Sequence, residues 1–206
     1  MSALPYADLL ETDGERLLVA LRAALEAKGI VTPQEVAERI RITDQGSPAQ
    51  GARMVARAWT DPGYRALMLE DGAAAAEALG ITMRGAPPLG VLENTAELHH
   101  LVVCTLCSCY PRAVLGYPPF WFKSTAYRAR AVRDPRGVIA EWGTVLPEHT
   151  RIVVVDSTAD YRWMVLPVRP TGTEGWSEEQ LAGIVREGDM IGVTVPAAAQ
   201  KAAAAA

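Results

Sequence analysis

Residues 98–111 read LHHLVVCTLCSCYP. The first six are apolar and β-branched enough to form a strand, Leu98–Val103, and the rest cannot continue it. Cys104, Cys107 and Cys109 fall within six residues and are followed by Tyr110 and the breaker Pro111. The stretch is therefore a strand running into a tight loop that carries three thiols. Such a loop brings three sulfurs around one point at little closure cost. The chain has no other cysteine to pair with them. A disulfide scaffold would spread an even number of cysteines across the fold, so the cluster reads as metal ligands. A redox dithiol and three buried structural thiols are the competing readings.

Working outward, three more segments have strand character: Arg151–Asp156, Tyr161–Leu166 and Met190–Val195. Helices are expected between them, after Ser124, after Asp134 with Pro135 in the first turn, and after Ser177 with Gln180 as its capping partner. Interleaved strands and helices predict a layered α/β metal-binding domain over 87–196, opened by the break at Pro87–Gly90. The strand order is not readable from this pattern.

Upstream, residues 1–86 read as an arm of helices, which makes the whole chain α+β. Leu17, Leu18, Leu21 and Leu25 recur at helical spacing and are expected to form one buried stripe ending at Gly29. Thr32 with Pro33 and Glu35 forms one capping signal, and Ser47 with Pro48 and Gln50 repeats it before Met54, Val55, Ala58 and Trp59. Asp61 and Pro62 start a helix with Tyr64, Leu67 and Met68 on one face. Asp71 starts a last short one, closed by Gly80. The arm contains no histidine or cysteine, so the chemistry is expected elsewhere. The alanine-rich 197–206 tail has little to bury and is expected to be disordered.

The chain has 206 residues, 20 basic and 24 acidic, for a formal charge of −4. Residues 1–80 hold eight basic and twelve acidic groups and the remainder twelve of each. This balance gives no long-range attraction to nucleic acid. The six basic residues from Arg112 to Arg136, against Asp134 alone, suit carboxylates on a protein partner and support for an anionic loop. No run of about 20 apolar residues suggests a membrane span, and MSALPYADLLETDGE lacks a secretion signal's pattern. A cytoplasmic location is expected.

The residues leave the identity of the metal open. Zinc wants four ligands when structural, and His100, four residues before Cys104, is a candidate fourth. Iron–sulfur clusters need a further cysteine or wider spacing. A third arrangement uses the main-chain nitrogens of Ser108 and Cys109, deprotonated, with the Cys107 and Cys109 sulfurs in one plane and Cys104 on the axis. It would suit trivalent cobalt or iron.

The segment VCTLCSCYPRAVLGYPPFWFKSTAYRARAVRDPRGVIAEWG resembles the metal-binding region of nitrile hydratase alpha subunits. AWTDPGYRALMLEDGAAAAEALGI, VLENTAELHHLVVC and VLPVRPTGTEGWSEEQLAGIVREGDMIGV extend the resemblance over about residues 52–195. It implies one low-spin Co(III) or Fe(III) ion per chain, with Cys104 a thiolate, Cys107 a sulfinate and Cys109 a sulfenate. The Ser108 and Cys109 amides complete the protein ligands. Thr105 and Tyr110 match the cobalt type, the iron type carrying serine and threonine there.

The implied reaction is hydration of a nitrile to its amide. The trivalent ion polarises the nitrile, and water adds through the Cys109 sulfenate oxygen or a nearby base. Trp121 fits a tryptophan of the family's PPxWYKS-like stretch and is expected either to line the substrate pocket or to be a core or interface aromatic. His99 and His100 are expected to pack the strand or an interface. The resemblance further implies a beta-type subunit, in one chain or two, which supplies two arginines to the oxidised sulfurs, and a metallochaperone or activator during maturation. Arg112 departs from a common tryptophan and Tyr117 from a common leucine, changes that bear on substrate choice. Two rival readings remain: the gamma subunit of thiocyanate hydrolase, a relative with a similar claw, and a non-enzymatic metal-binding module.

Overall fold

A computed structural model describes residues 7–197, with side chains from residue 14 onward. All but the first residue of the 197–206 tail lies outside the described residues. The chain divides into two compact units, 1–42 and 43–206.

The first unit carries helix α1 (Ala7–Ala27) and most of α2 (Pro33–Asp44). Gly29 ends α1 at φ 65°, a left-handed conformation suited to glycine. Thr32 and Glu35 form the expected reciprocal cap on α2: the Glu35 amide donates to Thr32 Oγ1 at 3.1 Å, and the Thr32 amide to Glu35 Oε2 at 2.8 Å. The leucine stripe is helical but not buried. Leu17, Leu18 and Leu21 are 69%, 66% and 52% exposed. One apolar face needs a second element to cover it, and the described part of this unit supplies none.

The second unit begins with α3 (Pro48–Thr60), α4 (Pro62–Glu70) and α5 (Gly72–Ala78). Asp61 and Asp71 cap the latter two through their side chains. The box expected at Ser47 does not form: the Gln50 side chain donates through Nε2 to the Gln45 carbonyl at 2.7 Å, and its main-chain N–H goes to the Ser47 carbonyl at 3.0 Å. These helices share the core of the second unit, so the expected 86/87 boundary falls inside it. A Cβ on Gly72 would come within 2.6 Å of the Leu89 carbonyl, and Trp59 donates Nε1–H to the Pro167 carbonyl at 2.8 Å.

Among the described residues, four strands form two parallel pairs. β1 (Leu89–Glu93) pairs with β4 (Arg162–Leu166), and β2 (Leu98–Val103) with β3 (Arg151–Asp156). Parallel neighbours require a crossover. Between β2 and β3 it consists of α6 (Arg112–Leu115), α7 (Phe120–Lys123), α8 (Thr125–Arg133) and α9 (Pro135–Glu141). Ser124 and Asp134 cap α8 and α9 as expected. After β4, α10 (Glu178–Ala182) has the complete Ser177–Gln180 box. The register sets Val103 beside Asp156, so the end of β2 and the end of β3 meet where the cysteine loop begins.

Met190–Val195 is not a strand. A 3-10 turn, Glu187–Met190, runs into irregular chain whose amides, from Ile191 to Thr194, converge on the Gly188 carbonyl. Gly192 adopts φ 87°, outside the extended region, which breaks the run. The segment still lies along β2, where the Val102 amide donates to the Ile191 carbonyl at 2.9 Å.

Candidate metal centre

The loop leaves β2 at Val103 and is pinned at once. The Ser157 amide donates to the Val103 carbonyl at 2.7 Å. The Thr105 amide donates to Asp156 Oδ1 at 3.0 Å, and its hydroxyl bonds Asp156 Oδ2. Arg128 on α8 reaches the Thr105 carbonyl at 3.4 Å. Beyond the loop, the Tyr110 hydroxyl donates to Glu187, while Tyr127 donates to the Val102 carbonyl at 2.7 Å. Strand end, crossover helix and 3-10 turn thus fix the loop from three sides.

Within this frame the Cys104, Cys107 and Cys109 sulfurs lie within 4.8 Å of one another. Cys104 and Cys107 are 3.6 Å apart, and Cys107 and Cys109 are 3.2 Å apart. Two thiolates bound at about 2.3 Å to one ion lie roughly 3.3 Å apart at right angles and roughly 3.8 Å apart at a tetrahedral angle. The observed spacings fall in and around that range. Cys104 and Cys109 are buried, whereas Cys107 is exposed. The Cys107 amide donates to the Cys104 sulfur at 3.3 Å. A set of three soft sulfurs fits a thiophilic transition-metal ion.

The electrostatics divide the thiols. The hydrogen bond from Cys109, aided by the Ser108 N–H, holds Cys107 below the ordinary thiol value. Burial first, then its thiol neighbours, pushes Cys109 up to about 12, while the Arg162 charge acts in the opposite direction.

A family model for the nitrile hydratase alpha chain matches residues 12–194. The low-molecular weight cobalt-containing nitrile hydratase subunit alpha of Rhodococcus rhodochrous is 46% identical over 184 residues, covering 89% of each chain. The chain belongs to the nitrile hydratase alpha-chain family. Thiocyanate hydrolase subunit gamma of Thiobacillus thioparus is 43% identical over 196 residues, covering 90% of this chain and 81% of that subunit. A structure of recombinant thiocyanate hydrolase with partially modified cobalt centres superposes with a TM-score of 0.84 at 43% identity, covering 90% of each chain.

As a member of that family, the chain brings together the three cysteines and Ser108 but not the histidines. His99 bonds the Gly192 carbonyl through Nε2 at 2.7 Å and Asn94 through Nδ1 at 3.1 Å. His100 is held by Asn94 Oδ1 through its amide at 2.7 Å and its Nδ1 at 3.1 Å. His100, the candidate fourth zinc ligand, is not grouped with the three sulfurs, and Cys104 lies past the end of β2, where strand alternation no longer applies. Burial keeps both imidazoles below the ordinary histidine value.

Trp121 sits in an aromatic run, its ring 5.0 Å from Tyr127, 4.8 Å from Trp142 and 5.9 Å from Phe122. Phe122 in turn meets Tyr110 at 4.9 Å, so the run ends beside Cys109. Trp121 also lines a cavity of about 140 Å³ with Tyr127, Val138 and Trp142, at whose edge Arg130 and Glu141 pair. Asp156 escaped the sequence reading, and Arg128 entered it only as one of six basic residues suited to support an anionic loop. The approach of Asp156 depends on parallel pairing across about fifty residues, which no local pattern carries.

Proposed function

We propose that this chain is the metal-holding alpha-type subunit of a nitrile hydratase, a lyase that adds water to a nitrile and releases the amide. The carrying observation is the trio of sulfurs within 4.8 Å, in a chain aligned over most of its length with cobalt-containing relatives. The proposed catalytic segment, residues 87–196, lies within the second compact unit and shares its core with α3–α5. Cys104, Cys107 and Cys109, with the Ser108 and Cys109 amide nitrogens, are the proposed holders of one Co(III) ion. Thr105 and Tyr110 favour cobalt over iron. In the mature form Cys107 is a sulfinate and Cys109 a sulfenate, while Cys104 remains a thiolate. Bound there, the ion supplies Lewis acidity toward the nitrile.

The chain's own residues supply the rest. Asp156 and Arg128 hold Thr105 from both sides and so set where the sulfurs stand. Burial of Cys104 and Cys109 keeps bulk water from the reacting centre and strengthens each charge interaction there. The Cys109 oxygen acts on the nitrile carbon or takes the proton of the water that does. Trp121 is proposed as a wall of the substrate pocket, reached through the Phe122–Tyr110 contacts.

The oxidised loop is anionic and needs donors from outside as well as inside the chain. Leu106 and Phe120 are each 86% exposed and Tyr117 57%, so the face around the loop is apolar and uncovered. The α1 leucines are likewise uncovered. A beta-type subunit, in one chain or two, is the proposed cover for both surfaces and the source of two arginines to the sulfur oxygens. A metallochaperone or activator is the proposed source of cobalt, and the cytoplasm the proposed compartment. Among the described residues no helix is long and apolar enough to cross a membrane.

Thiocyanate hydrolysis is the second reading, favoured by Arg112 directly after Tyr110–Pro111 and by the 43% identity to a thiocyanate hydrolase gamma subunit. One experiment separates the readings: co-expression with the beta-type subunit in cobalt medium, metal and peptide-mass analysis, then assays on propionitrile and on thiocyanate. Cobalt with oxidised Cys107 and Cys109 and amide formation is the expected result. Carbonyl sulfide without amide would replace the first reading with the second, and zinc on three unoxidised cysteines would remove both.

A further inference from the structure

β3 is an open edge of its sheet. It has six residues, pairs with β2 on one side and has no strand on the other among the described residues. The Arg151 and Ser157 amides donate to the Glu97 and Val103 carbonyls. Main-chain groups alternate along a strand, so those of Arg151, Val153 and Val155 face β2, while those of Ile152 and Val154 point away. Among the described residues the outward N–H and C=O groups of Ile152 and Val154 meet no hydrogen-bond partner. The far edge of β2, by contrast, is closed from within the chain. There the His100 amide donates to Asn94 Oδ1 at 2.7 Å and the Val102 amide to the Ile191 carbonyl at 2.9 Å. Soluble proteins blunt a free edge with proline, lysine, a bulge or an inward charge. Residues 152–155 read IVVV in unbroken register, each half-buried, and have none of these devices.

We propose that the outer edge of β3 is a docking site for an extended segment of the beta-type subunit, which pairs there as a further strand through the main-chain groups of Ile152 and Val154. The inference rests on the functional reading above, which supplies that subunit, and adds how it is held. Outward N–H and C=O groups in strand register are completed by another strand, whatever its side chains. The place fits as well. The edge ends at Asp156, which holds Thr105, beside the exposed Leu106 and Cys107. A strand laid on β3 therefore continues onto the cysteine loop, the face for which the beta-type subunit is the proposed cover. A second copy of β3 fits less well. Antiparallel pairing sets outward residues opposite outward residues, so a fully overlapped two-fold pair centres on Val153 or Val154. The first register puts Arg151 opposite Val155 and the second opposite Ser157, which is 1% exposed. Neither gives Arg151 a carboxylate, and among the described residues its own chain gives it none. The docking segment is thus expected to be apolar along 152–155 and to carry a carboxylate beside Arg151.

The test uses the complex of this chain with its beta-type subunit. Residue-resolved amide hydrogen exchange compares β3 in the full chain alone and in the complex. Ile152 and Val154 are expected to exchange fast in the chain alone and at least ~100-fold more slowly in the complex. Val153 and Val155, bonded to β2 in both states, are expected to change by less than ~10-fold. Val154→Pro removes the outward N–H and leaves the amides that bond β2 in place, whereas Val154→Ala trims the same side chain and keeps the N–H. Val154→Pro is expected to raise the Kd of the complex ~10-fold above that of Val154→Ala, the loss of one hydrogen bond. Equal slowing of all four amides would overturn the proposal, as would equal Kd in the two variants. If Val154→Pro does not fold, the wild-type exchange pattern decides. Ile152 and Val154 already protected in the chain alone, at the mass of a dimer, would overturn it in favour of a second copy. A wild-type chain that forms no complex with the beta-type subunit would instead remove the functional reading, and this inference with it.

Discussion

Asp156, the last residue of β3, takes both hydrogen bonds that Thr105 can donate, one from its amide at 3.0 Å and one from its hydroxyl. The parallel register that sets Val103 beside Asp156 makes this contact unavoidable. The start of the cysteine loop is therefore a product of strand pairing rather than of the loop's own turn chemistry. Asp156→Ala removes both acceptors and frees Thr105 while leaving the three sulfurs intact. The expected outcome is about 10-fold weaker metal retention, in keeping with other residues that orient ligands without binding the ion. Cobalt per chain after a timed chelator challenge measures it. Retention equal to wild type would show that Arg128 and the sulfurs set the loop without Asp156.

Tyr127→Phe tests the next layer out. The Tyr127 hydroxyl is buried and donates to the Val102 carbonyl, tying α8 to β2 just before the loop. The variant keeps the ring contacts with Trp121 and Phe122 and leaves a buried carbonyl one donor short. A loss of about 1–2 kcal/mol is expected, lowering Tm by roughly 2–8 °C for a chain of this size. Cobalt content should stay unchanged. A thermal scan and metal analysis of the same sample check both halves.

The legibility of this chain follows the range of each signal. Caps at Thr32, Asp61, Asp71, Ser124, Asp134 and Ser177 are readable because donor and acceptor lie within three residues. Ser47 misleads because the Gln50 side chain donates to the Gln45 carbonyl instead of accepting from the Ser47 N–H, a bond that the capping pattern does not include. β1 is missed because LGVLE is short, follows two prolines, and finds its parallel partner only at Arg162–Leu166. Met190–Val195 has a strand's composition, but the turn at Gly192 is a tertiary fact, set by the β2 backbone against it. The sulfurs were legible from spacing alone. The groups that hold the loop were less so: Asp156 accepts from Thr105 at the end of β3, about fifty residues away, and Arg128 on α8 was readable only as part of a basic segment. The exposure of Leu17, Leu18 and Leu21 was equally hidden, for amphipathic spacing shows that a face is apolar and not what covers it.

Gly192 offers a sharp test of that turn. A Cβ there would stand 1.9 Å from the His100 carbonyl oxygen, at φ 87°. The obstruction is the backbone of β2, which is paired with β3, so neither side can yield cheaply. Gly192→Ala is expected to cost more than about 3 kcal/mol, combining left-handed strain with overpacking. Gly172 has a similar φ of 80° but nothing within 4 Å of the added carbon. Gly172→Ala should therefore cost only about 1–2 kcal/mol. Soluble yield and Tm of the two variants, compared side by side, separate crowding from strain. Equal losses would mean that crowding at Gly192 contributes nothing.

The buried histidines predict a pH dependence. Burial lowers the folded pKa of His99 below its ordinary 6.5, and Arg136 acts in the same direction. His100 is lowered by burial, by His99 and by Arg151. A depressed histidine pKa means that the unfolded chain binds more protons, so this contribution to stability is fully present above about 6.5 and is lost as pH falls below it. Glu187 and Asp189, raised by burial, have the opposite slope, their contribution being greatest below the ordinary carboxylate value and fading as pH rises. His99→Gln keeps an acceptor for Asn94 and a donor for the Gly192 carbonyl but cannot titrate. Tm between pH 7.5 and 5.5 should fall less steeply in the variant than in wild type. Parallel curves would mean that His99 does not carry the slope.

Cys109→Ala bears on the chemistry most directly. Cys109 lies 3.2 Å from Cys107 and is the most difficult of the pair to ionise on its own, so it needs a bound cation to act as an anion at neutral pH. Removing its sulfur leaves Cys104 and Cys107 3.6 Å apart, a pair that still suits a tetrahedral ion such as zinc. The variant should therefore exchange cobalt for zinc, lose the sulfur-to-cobalt absorption and lose nitrile hydration by a factor of at least about 10³, because the group proposed to act on the nitrile or its water has gone. Cys109→Ser restores an oxygen near that position without the sulfur, and should recover neither the band nor the rate. Full hydration with stoichiometric cobalt in Cys109→Ala would place the reacting oxygen somewhere other than Cys109.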